Sequence, residues 1–548
     1  MKRRSLRAAA HLGFLIAFTP PGWCETVGGP QGPAKQPLYF PAAETPCLPI
    51  EHITLEGAES DRFAWLLAWA HRSADGRFDP AISRCLGRQG LNLVMTRMQN
   101  ALLARGFITS RILVAPQDLR SKTLTLTLVP GKLHALRLAP GSGDRAALAS
   151  AFPVQVGDLL NLRDLEQGLE NLRHVPSATA EIEIVPAQAQ AGEPEPGPGE
   201  SDLMVLWRQA RPIRGSLSVD DAGSRALGRL QGTATLALDH PLRLNDLLQL
   251  SLQRGLEQSG RQGLRAEGLS YSVPLGDWAV SLSANRQRSY QQVAGSRQTY
   301  VYSGESHSGD LTLRRLLQRD GSSKTFASLS GWARVSSQFI DDTEIEVQRR
   351  RTGGWTLGLD HRHFIGPATL DLDLAYRRGT GAAGALDAPE EWFGEGVSRP
   401  RITRAGAQLE WPLAIGAQRL RYAGSWRAQW SPQPLVSLDR FVIAGRYTVR
   451  GFDGESVLSA QRGWLLRNEL AFTLGEGGQS LFIGLDHGRV SGVGAELLAG
   501  TRLTGAVLGW RRDGPRWRLE VFAGGPVSRP PGFNAADRVA GFSITALF

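Results

Sequence analysis

Beyond its first two dozen residues this 548-residue chain has no apolar run approaching the roughly 20 residues that a membrane-spanning helix requires, which excludes helical spans. It also has no G-x-S-x-G, no H-E-x-x-H and no Walker loop, and no cysteine or histidine cluster with metal-ligand spacing. No catalytic residue, cofactor or metal is therefore expected. His361 and His363 flank Arg362 at strand spacing, which fits one polar face better than two ligands. The net charge of +10 would suit nucleic acid, but the arginines are scattered through strands and loops rather than clustered with aromatics. A hydrated basic channel wall accounts for them without a nucleic-acid partner.

What the chain does have, from about Ile213 to Phe548, is a train of short alternating segments. In Gln418–Trp430 the residues Leu420, Tyr422, Gly424, Trp426, Ala428 and Trp430 share one parity, and Arg419, Arg421, Ser425, Arg427 and Gln429 the other. Ala368–Tyr376 sets Leu370, Leu372, Leu374 and Tyr376 against Asp371 and Asp373, and Leu230–Leu238 follows with Gln231, Thr233 and Thr235 inward. Strand side chains alternate faces, so each segment has one greasy and one hydrated face. A transmembrane β-barrel with a polar lumen fits this pattern. The alternative is a large soluble β-sandwich, whose dry core would leave many inward arginines in need of partners. A mean hydropathy of -0.20 is no objection, because barrels hide from hydropathy averages.

The amino terminus reads as a secretory signal peptide, residues 1–24: Lys2, Arg3, Arg4 and Arg7 precede the mostly apolar Ala8–Phe18, which Pro20 and Pro21 end. With cleavage after Cys24, only Cys47 and Cys85 remain, an even pair in an oxidising compartment. A disulfide is the natural reading, with two buried free thiols as the alternative. Such a bridge would stabilise its domain by about 3–4 kcal/mol. Residues 25–46, rich in proline and glycine, read as a flexible lead-in.

Two β-α-α-β-β units follow, spanning 47–131 and 132–210. The first is expected as strand His52–Gly57, helices Asp61–Arg72 and Leu91–Arg105, and strands Ile108–Ala115 and Thr123–Val129. The second is expected as strand Lys132–Ala139, helices Asp144–Phe152 and Leu162–Val175, and strands Ala178–Val185 and Asp202–Gln209, with Gln188–Glu200 an inserted loop. Turn signals divide the remainder, 211–548, into about 16 strands, an even number allowed for bacterial barrels. Counted from a periplasmic start, the even-to-odd junctions are the short ones: Pro241–Asp246, Pro274–Asp277, Gly366–Pro367, Gly475–Gly478 and Asp513–Pro515. Gly381–Val397 and above all Pro432–Gln461 then fall outside the cell. The last strand ends Phe542, Ile544, Ala546, Phe548, which resembles the carboxyl-terminal signal by which the barrel assembly machinery recognises outer-membrane proteins.

Two such units before a 16-stranded barrel resemble the two-partner secretion transporters, the ShlB/FhaC/HecB type of haemolysin secretion/activation protein, over almost everything after Thr45. The resemblance opens with Cys47-Leu48-Pro49-Ile50 leading to Ile53-Thr54-Leu55-Glu56-Gly57. It continues through Asn100–Phe107 and Asn161–Leu172, similar to the helices of the family's two polypeptide-transport-associated (POTRA) domains, and Arg214–Ser224, similar to its first barrel strand. Its sharpest element is Val449-Arg450-Gly451-Phe452, where the family has a V-R-G-F/Y tetrad at the tip of a loop, 432–461, folded back into the pore. Gly484-Leu485-Asp486-His487-Gly488 resembles the superfamily's G-x-D-x-G on the inner wall, with Asp486 inward by parity and Leu485 outward. An arginine lowered into a lumen needs a carboxylate, so Arg450 and Asp486 are expected to meet as a partly hydrated pair.

The resemblance implies an outer-membrane translocase with its POTRA domains in the periplasm. It would sit in outer-membrane lipid, bind an unfolded exoprotein of the haemolysin or adhesin type, and pass it outward through the barrel. An insertase of the same superfamily, folding barrels rather than secreting chains, is the alternative; a porin would need neither the modules nor the tetrad loop. Several family members carry an N-terminal helix that plugs the barrel. The prolines and glycines of Glu25–Pro46 argue against one here.

Overall fold

The computed structural model describes residues 39–189, 195–257 and 262–548. The expected signal peptide, the beginning of the lead-in, any plug helix and the middle of the Gln188–Glu200 insertion lie outside these residues. The described chain forms two compact units, one holding the α+β modules and the other the barrel.

The first module contains strands β1 (Leu48–Ile50), β2 (His52–Glu56), β3 (Arg84–Leu86), β4 (Arg111–Leu113) and β5 (Thr123–Val129), with helix α1 (Arg88–Ala104). β5 lies between β2, its parallel partner, and β4, its antiparallel one. The alternation of Thr123–Val129 buries Leu124, Leu126 and Leu128 against α1 residues Val94, Met98 and Leu102. Three expectations change. The segment Ser60–His71 winds as a 3-10 helix, whose three-residue turn stacks Phe63 over Leu66 on the buried side. The strand expected over Ile108–Ala115 shrinks to Arg111–Leu113, because the Gln99 side chain of α1 accepts from Ile112 N at 3.1 Å and donates to Ser110 O at 2.9 Å, taking up backbone groups a ladder would use. A short β1–β3 pair, which the residue pattern does not announce, brings Cys47 and Cys85 together. Their Cα atoms are 5.3 Å apart and the two are disulfide-bonded.

The end of the expected flexible lead-in is held in place. Glu44 accepts hydrogen bonds from Gly87, Gln89 and Gly90 backbone N–H at 2.8, 2.7 and 3.0 Å, satisfying donors that the start of α1 cannot pair internally. Phe40 is buried beneath the guanidinium of Arg97, 4.3 Å from the ring centroid, and its N–H donates to Asp79. Tyr39 donates to Asp75 at 2.7 Å, and hydrogen bonds from Ser73 and then Tyr39 push that carboxyl down to about 2, so the contact persists at any ordinary pH. Glu44→Ala removes a charged cap, and we expect a cost of about 1–2 kcal/mol to α1. Hydrogen exchange at the Gln89–Leu91 amides would measure it; unchanged protection would contradict the capping role.

The second module contains β6 (Lys132–Leu138), α2 (Leu148–Ala151), α3 (Leu162–Leu172), β7 (Ala178–Pro186) and β8 (Glu200–Gln209), in sheet order β6-β8-β7. The helix expected over Asp144–Phe152 is reduced to the single turn α2, since Ala147 before it and Phe152 after it are both non-helical. Leu162 N donates to Gly106 O at 2.8 Å and Asn161 Nδ2 to Arg105 O at 3.0 Å, tying the start of α3 to the end of α1. Gly106 has φ +90°, and a Cβ there would sit 2.3 Å from Asn161 Oδ1, so the junction requires glycine.

The barrel strands are β9 (Ile213–Asp220), β10 (Gln231–Asp239), β11 (Leu247–Gly255), β12 (Gln262–Leu275), β13 (Trp278–Ala294), β14 (Thr299–Arg319), β15 (Ser323–Ile340), β16 (Thr343–Glu344) and β17 (Arg350–Ile365). They continue as β18 (Ala368–Thr380), β19 (Arg401–Ile415) and β20 (Gln418–Trp430). After a long loop that holds β21 (Phe441–Ile443) and β22 (Leu458–Ala460) come β23 (Arg462–Leu474), β24 (Gln479–Ser491), β25 (Arg502–Asp513), β26 (Trp517–Ser528) and β27 (Val539–Leu547). β27 pairs with β9 and closes the sheet; with the two-residue β16 set aside, the closed barrel has 16 strands. Junctions of even-to-odd rank are short throughout, down to the two residues between β12 and β13 and between β17 and β18.

Register turns the alternation into an apolar belt. Leu282 faces Leu311, Leu313 faces Leu329, Leu329 faces Leu357 and Leu359 faces Leu374, all on the exposed outer side. Each buried nowhere in protein, they form the surface that hydrocarbon would cover. The inner face carries paired charges, with Arg362 donating to Asp371 at 2.9 Å across adjacent strands. Among the described residues no helix is long and apolar enough to cross a membrane and no group of His, Cys, Asp or Glu could hold a metal ion.

Candidate functional site: the loop folded into the barrel

The loop between β20 and β23 contains a short hairpin, β21 (Phe441–Ile443) paired with β22 (Leu458–Ala460), and a tip from Gly445 to Gly454. The hairpin gives the tip its own small core. Val449 and Phe452 are buried with Ile443, Leu458, Leu465 of β23, Val490 of β24 and Leu503 of β25, and the Phe452 ring meets Phe533 edge-on at 5.9 Å. Between them Arg450 turns the other way, into the wall.

There its Nε and Nη2 donate to the two carboxylate oxygens of Asp486 at 2.8 and 2.9 Å, and its backbone N–H donates to Asp486 Oδ2 at 2.9 Å. Nη1 donates to Glu469 at 2.6 Å and Nη2 also to Asn468 O at 3.2 Å. Asp486 is fully buried and Arg450 is 8% exposed, so the expectation of a partly hydrated pair is corrected. Loop and wall together exclude the water that an open lumen would admit. The fork of the guanidinium suits this task, since two parallel bonds fix orientation as well as position.

The glycines of Gly484-Leu485-Asp486-His487-Gly488 have a steric reason. A Cβ on Gly484 would lie 2.6 Å from Arg450 Nη2, and one on Gly488 2.9 Å from Val449 Cγ2. Leu485, between them on β24, faces outward and is 51% exposed. The strand is thus bare where the tetrad lands and acidic at its centre. Gly451 has φ +92°, and its missing Cβ would stand 2.5 Å from Gly525 O, so backbone meets backbone at the tip.

The charges extend beyond the two residues singled out by sequence. Glu469 on β23 also binds Arg511 of β25 at 3.1 Å, Arg511 binds Glu520 of β26 at 2.8 Å, and Arg446 of the loop reaches both Glu520 at 3.6 Å and Asp221 at 3.1 Å. Arg467 stands 3.6 Å from Asp486. Parity alone places Arg467 and Glu469 in the lumen. That Glu469 sits directly across from Gly484 follows only from the β23–β24 register. The network reaches the barrel closure, where Asp221 Oδ1 accepts from Phe542 N at 2.9 Å and Arg446 donates to Phe542 O at 3.0 Å. Phe548 lies at the other end of the same seam, exchanging backbone hydrogen bonds with Gly215, and Ile544 faces outward.

The comparisons with known proteins agree with this architecture. The profile described as "Haemolysin secretion/activation protein ShlB/FhaC/HecB" matches residues 199–512, "POTRA domain, ShlB-type" matches 48–131 and "POTRA domain" matches 132–186. The chain is 34% identical to the outer membrane transporter CdiB-2 of Burkholderia pseudomallei, over 95% of this chain and 90% of that one. It is 25% identical to the hemolysin transporter protein ShlB of Serratia marcescens, over 81% and 76%. Among solved structures it is similar to CdiB from Acinetobacter baumannii, with a TM-score of 0.81 and 31% identity over 94% of this chain and 92% of that one. With two POTRA domains, a closed 16-stranded barrel and a tetrad loop seated on its inner wall, the chain belongs to the ShlB/FhaC/HecB family of haemolysin secretion/activation proteins, the outer-membrane transporters of two-partner secretion.

Proposed function

We propose that this transporter captures its exoprotein partner, unfolded, on the two POTRA domains and moves it outward through the barrel lumen, with the Val449–Phe452 loop as the element that gates passage. The observation that carries this reading is the docking of Arg450 on Asp486, which together with the small apolar core around Val449 and Phe452 holds a loop of the outer surface inside the barrel. A contact of that kind can be exchanged without unfolding the wall. The relatives named hemolysin transporter support a haemolysin-like exoprotein as cargo, and the adhesin type is the other class that the family resemblance implies. Insertion of other barrels, the alternative within the superfamily, finds no counterpart in those names.

On this reading no covalent chemistry is performed, and the work comes from binding and from folding of the exported chain outside. Residues 1–24 serve as signal peptide, 47–131 and 132–210 as periplasmic modules and 211–548 as the barrel in outer-membrane lipid. Phe542, Ile544 and Phe548 mark the chain for the barrel assembly machinery. POTRA sheets offer edges to which an extended chain can add as a further strand. Deleting Cys47–Gln209 should leave a barrel that inserts and secretes nothing, read as exoprotein in the medium against heat-modifiable barrel in outer membranes. Secretion at the normal level by the shortened protein would refute the division of labour.

A further inference from the structure

Outside the Arg450 network, a second charged cluster lines the lumen near the outer ends of β15, β18 and β19. Arg334, Arg377 and Arg404, one from each strand, stand within electrostatic range of Asp439 of the long loop. Arg334 Nη1 is 3.7 Å from Asp439 Oδ1, and Arg377 and Arg404 both interact electrostatically with that carboxylate and with Arg334. Asp439 is nearly buried and its backbone is fixed, its carbonyl accepting from Gln429 Nε2 at 2.7 Å, while Gln429 Oε1 accepts from Arg404 Nε at 3.1 Å.

The arginines are in excess. The other carboxylate acting on Arg377 is Asp310 of β14, opposite Trp332 in register. The Arg377 Nε–H is buried and has no hydrogen-bond acceptor among the described residues, and its guanidinium lies 3.6 Å from the Trp332 ring centroid. Trp332 is 7% exposed and its indole N–H has no acceptor among the described residues. A stacked guanidinium with a buried, unpaired Nε–H, beside an unsatisfied indole N–H, is a site built for an acceptor it does not hold. Asp439 supplies one carboxylate to three arginines.

We propose that Arg334, Arg377 and Arg404 form a carboxylate-binding site on the lumen wall for acidic side chains of an extended polypeptide in transit, and that Asp439 occupies it as an internal stand-in while the loop is folded inward. The site takes an anionic peptide rather than a small anion, because the three arginines come from different strands and face the lumen along which a chain would run. When the loop leaves, Asp439 leaves with it, and the incoming chain replaces the contact the loop gives up. Loop release and cargo engagement are then exchanges of like for like. This inference rests on the reading that the exported chain passes through this lumen.

The test uses full-length protein in detergent, with heat-modifiable mobility as the folding control, and fluorescein-labelled hexaglutamate followed by anisotropy. Asp439→Asn should bind about ten-fold tighter than the unaltered protein, the change expected from freeing one charge-assisted contact. Adding Arg377→Gln and Arg404→Gln should abolish that gain, and Arg377→Lys with Arg404→Lys, which keeps charge and packing, should restore part of it. Equal binding by the Asp439→Asn protein with and without the two glutamine substitutions overturns the site. So does equal binding of hexalysine. Competition by millimolar inorganic phosphate as effective as by unlabelled hexaglutamate reassigns the cluster to small anions and overturns the peptide assignment. If peptide binding follows the expected order while Arg377→Gln/Arg404→Gln secretes exoprotein at the normal rate, the site stands and the lumen as export route falls.

Discussion

Asp486→Ala is expected to abolish exoprotein secretion while the barrel still assembles. The carboxylate is fully buried and accepts three hydrogen bonds from Arg450, so its loss leaves a guanidinium in a dry pocket with Glu469 as its remaining carboxylate. Breaking a buried pair by removing one partner costs about 3–5 kcal/mol, several times what a hydrated pair would. A shift of that size moves a two-state loop equilibrium by more than about a hundred-fold. The 16-stranded ladder does not depend on the pair, and heat-modifiable mobility should be unchanged. Arg450→Ala should match it, and the double variant should be no worse than the worse single, because residues in direct contact lose the same interaction once. Strictly additive defects, or a loop no more open to protease in either variant, would count against the docking role.

Gly484→Val should produce the same phenotype with every charge in place. The added Cβ would fall 2.6 Å from Arg450 Nη2 and 2.9 Å from Val507 Cγ2, distances at which the arginine must leave its seat. Valine is a good strand residue, so the wall itself should tolerate the change and the loop should not. Leu485→Val, one position along and facing outward, serves as the control and should secrete normally. If Gly484→Val secretes as well as the control, close approach of the tetrad to β24 is not needed for export, and the gate lies elsewhere in the loop.

Much of this protein could be read along the chain because strands alternate faces with a period of two. Parity in Gln418–Trp430 fixed the limits of β20, and the order of short and long junctions assigned sides to the loops before any pairing was known. Parity also sent Asp486 inward and Leu485 outward, and two cysteines in an oxidising compartment pointed to each other. Local pattern was a poorer guide in the modules. Gln99 shortens a strand and Glu44 captures a helix end from more than forty residues away, both through side chains reaching backbone that is distant in sequence. The sequence by itself determined the class of fold and the family, which rest on periodicity and short motifs, and the arginine–aspartate partnership followed from the family resemblance of those motifs. Only the tertiary structure decided that the pair is dry, that Glu469, Arg511 and Glu520 share its charge, and that Arg334, Arg377 and Arg404 stand within electrostatic range of Asp439. Those facts depend on register and on the path of a loop, and strand register is set by the closure of the whole barrel rather than by any one segment.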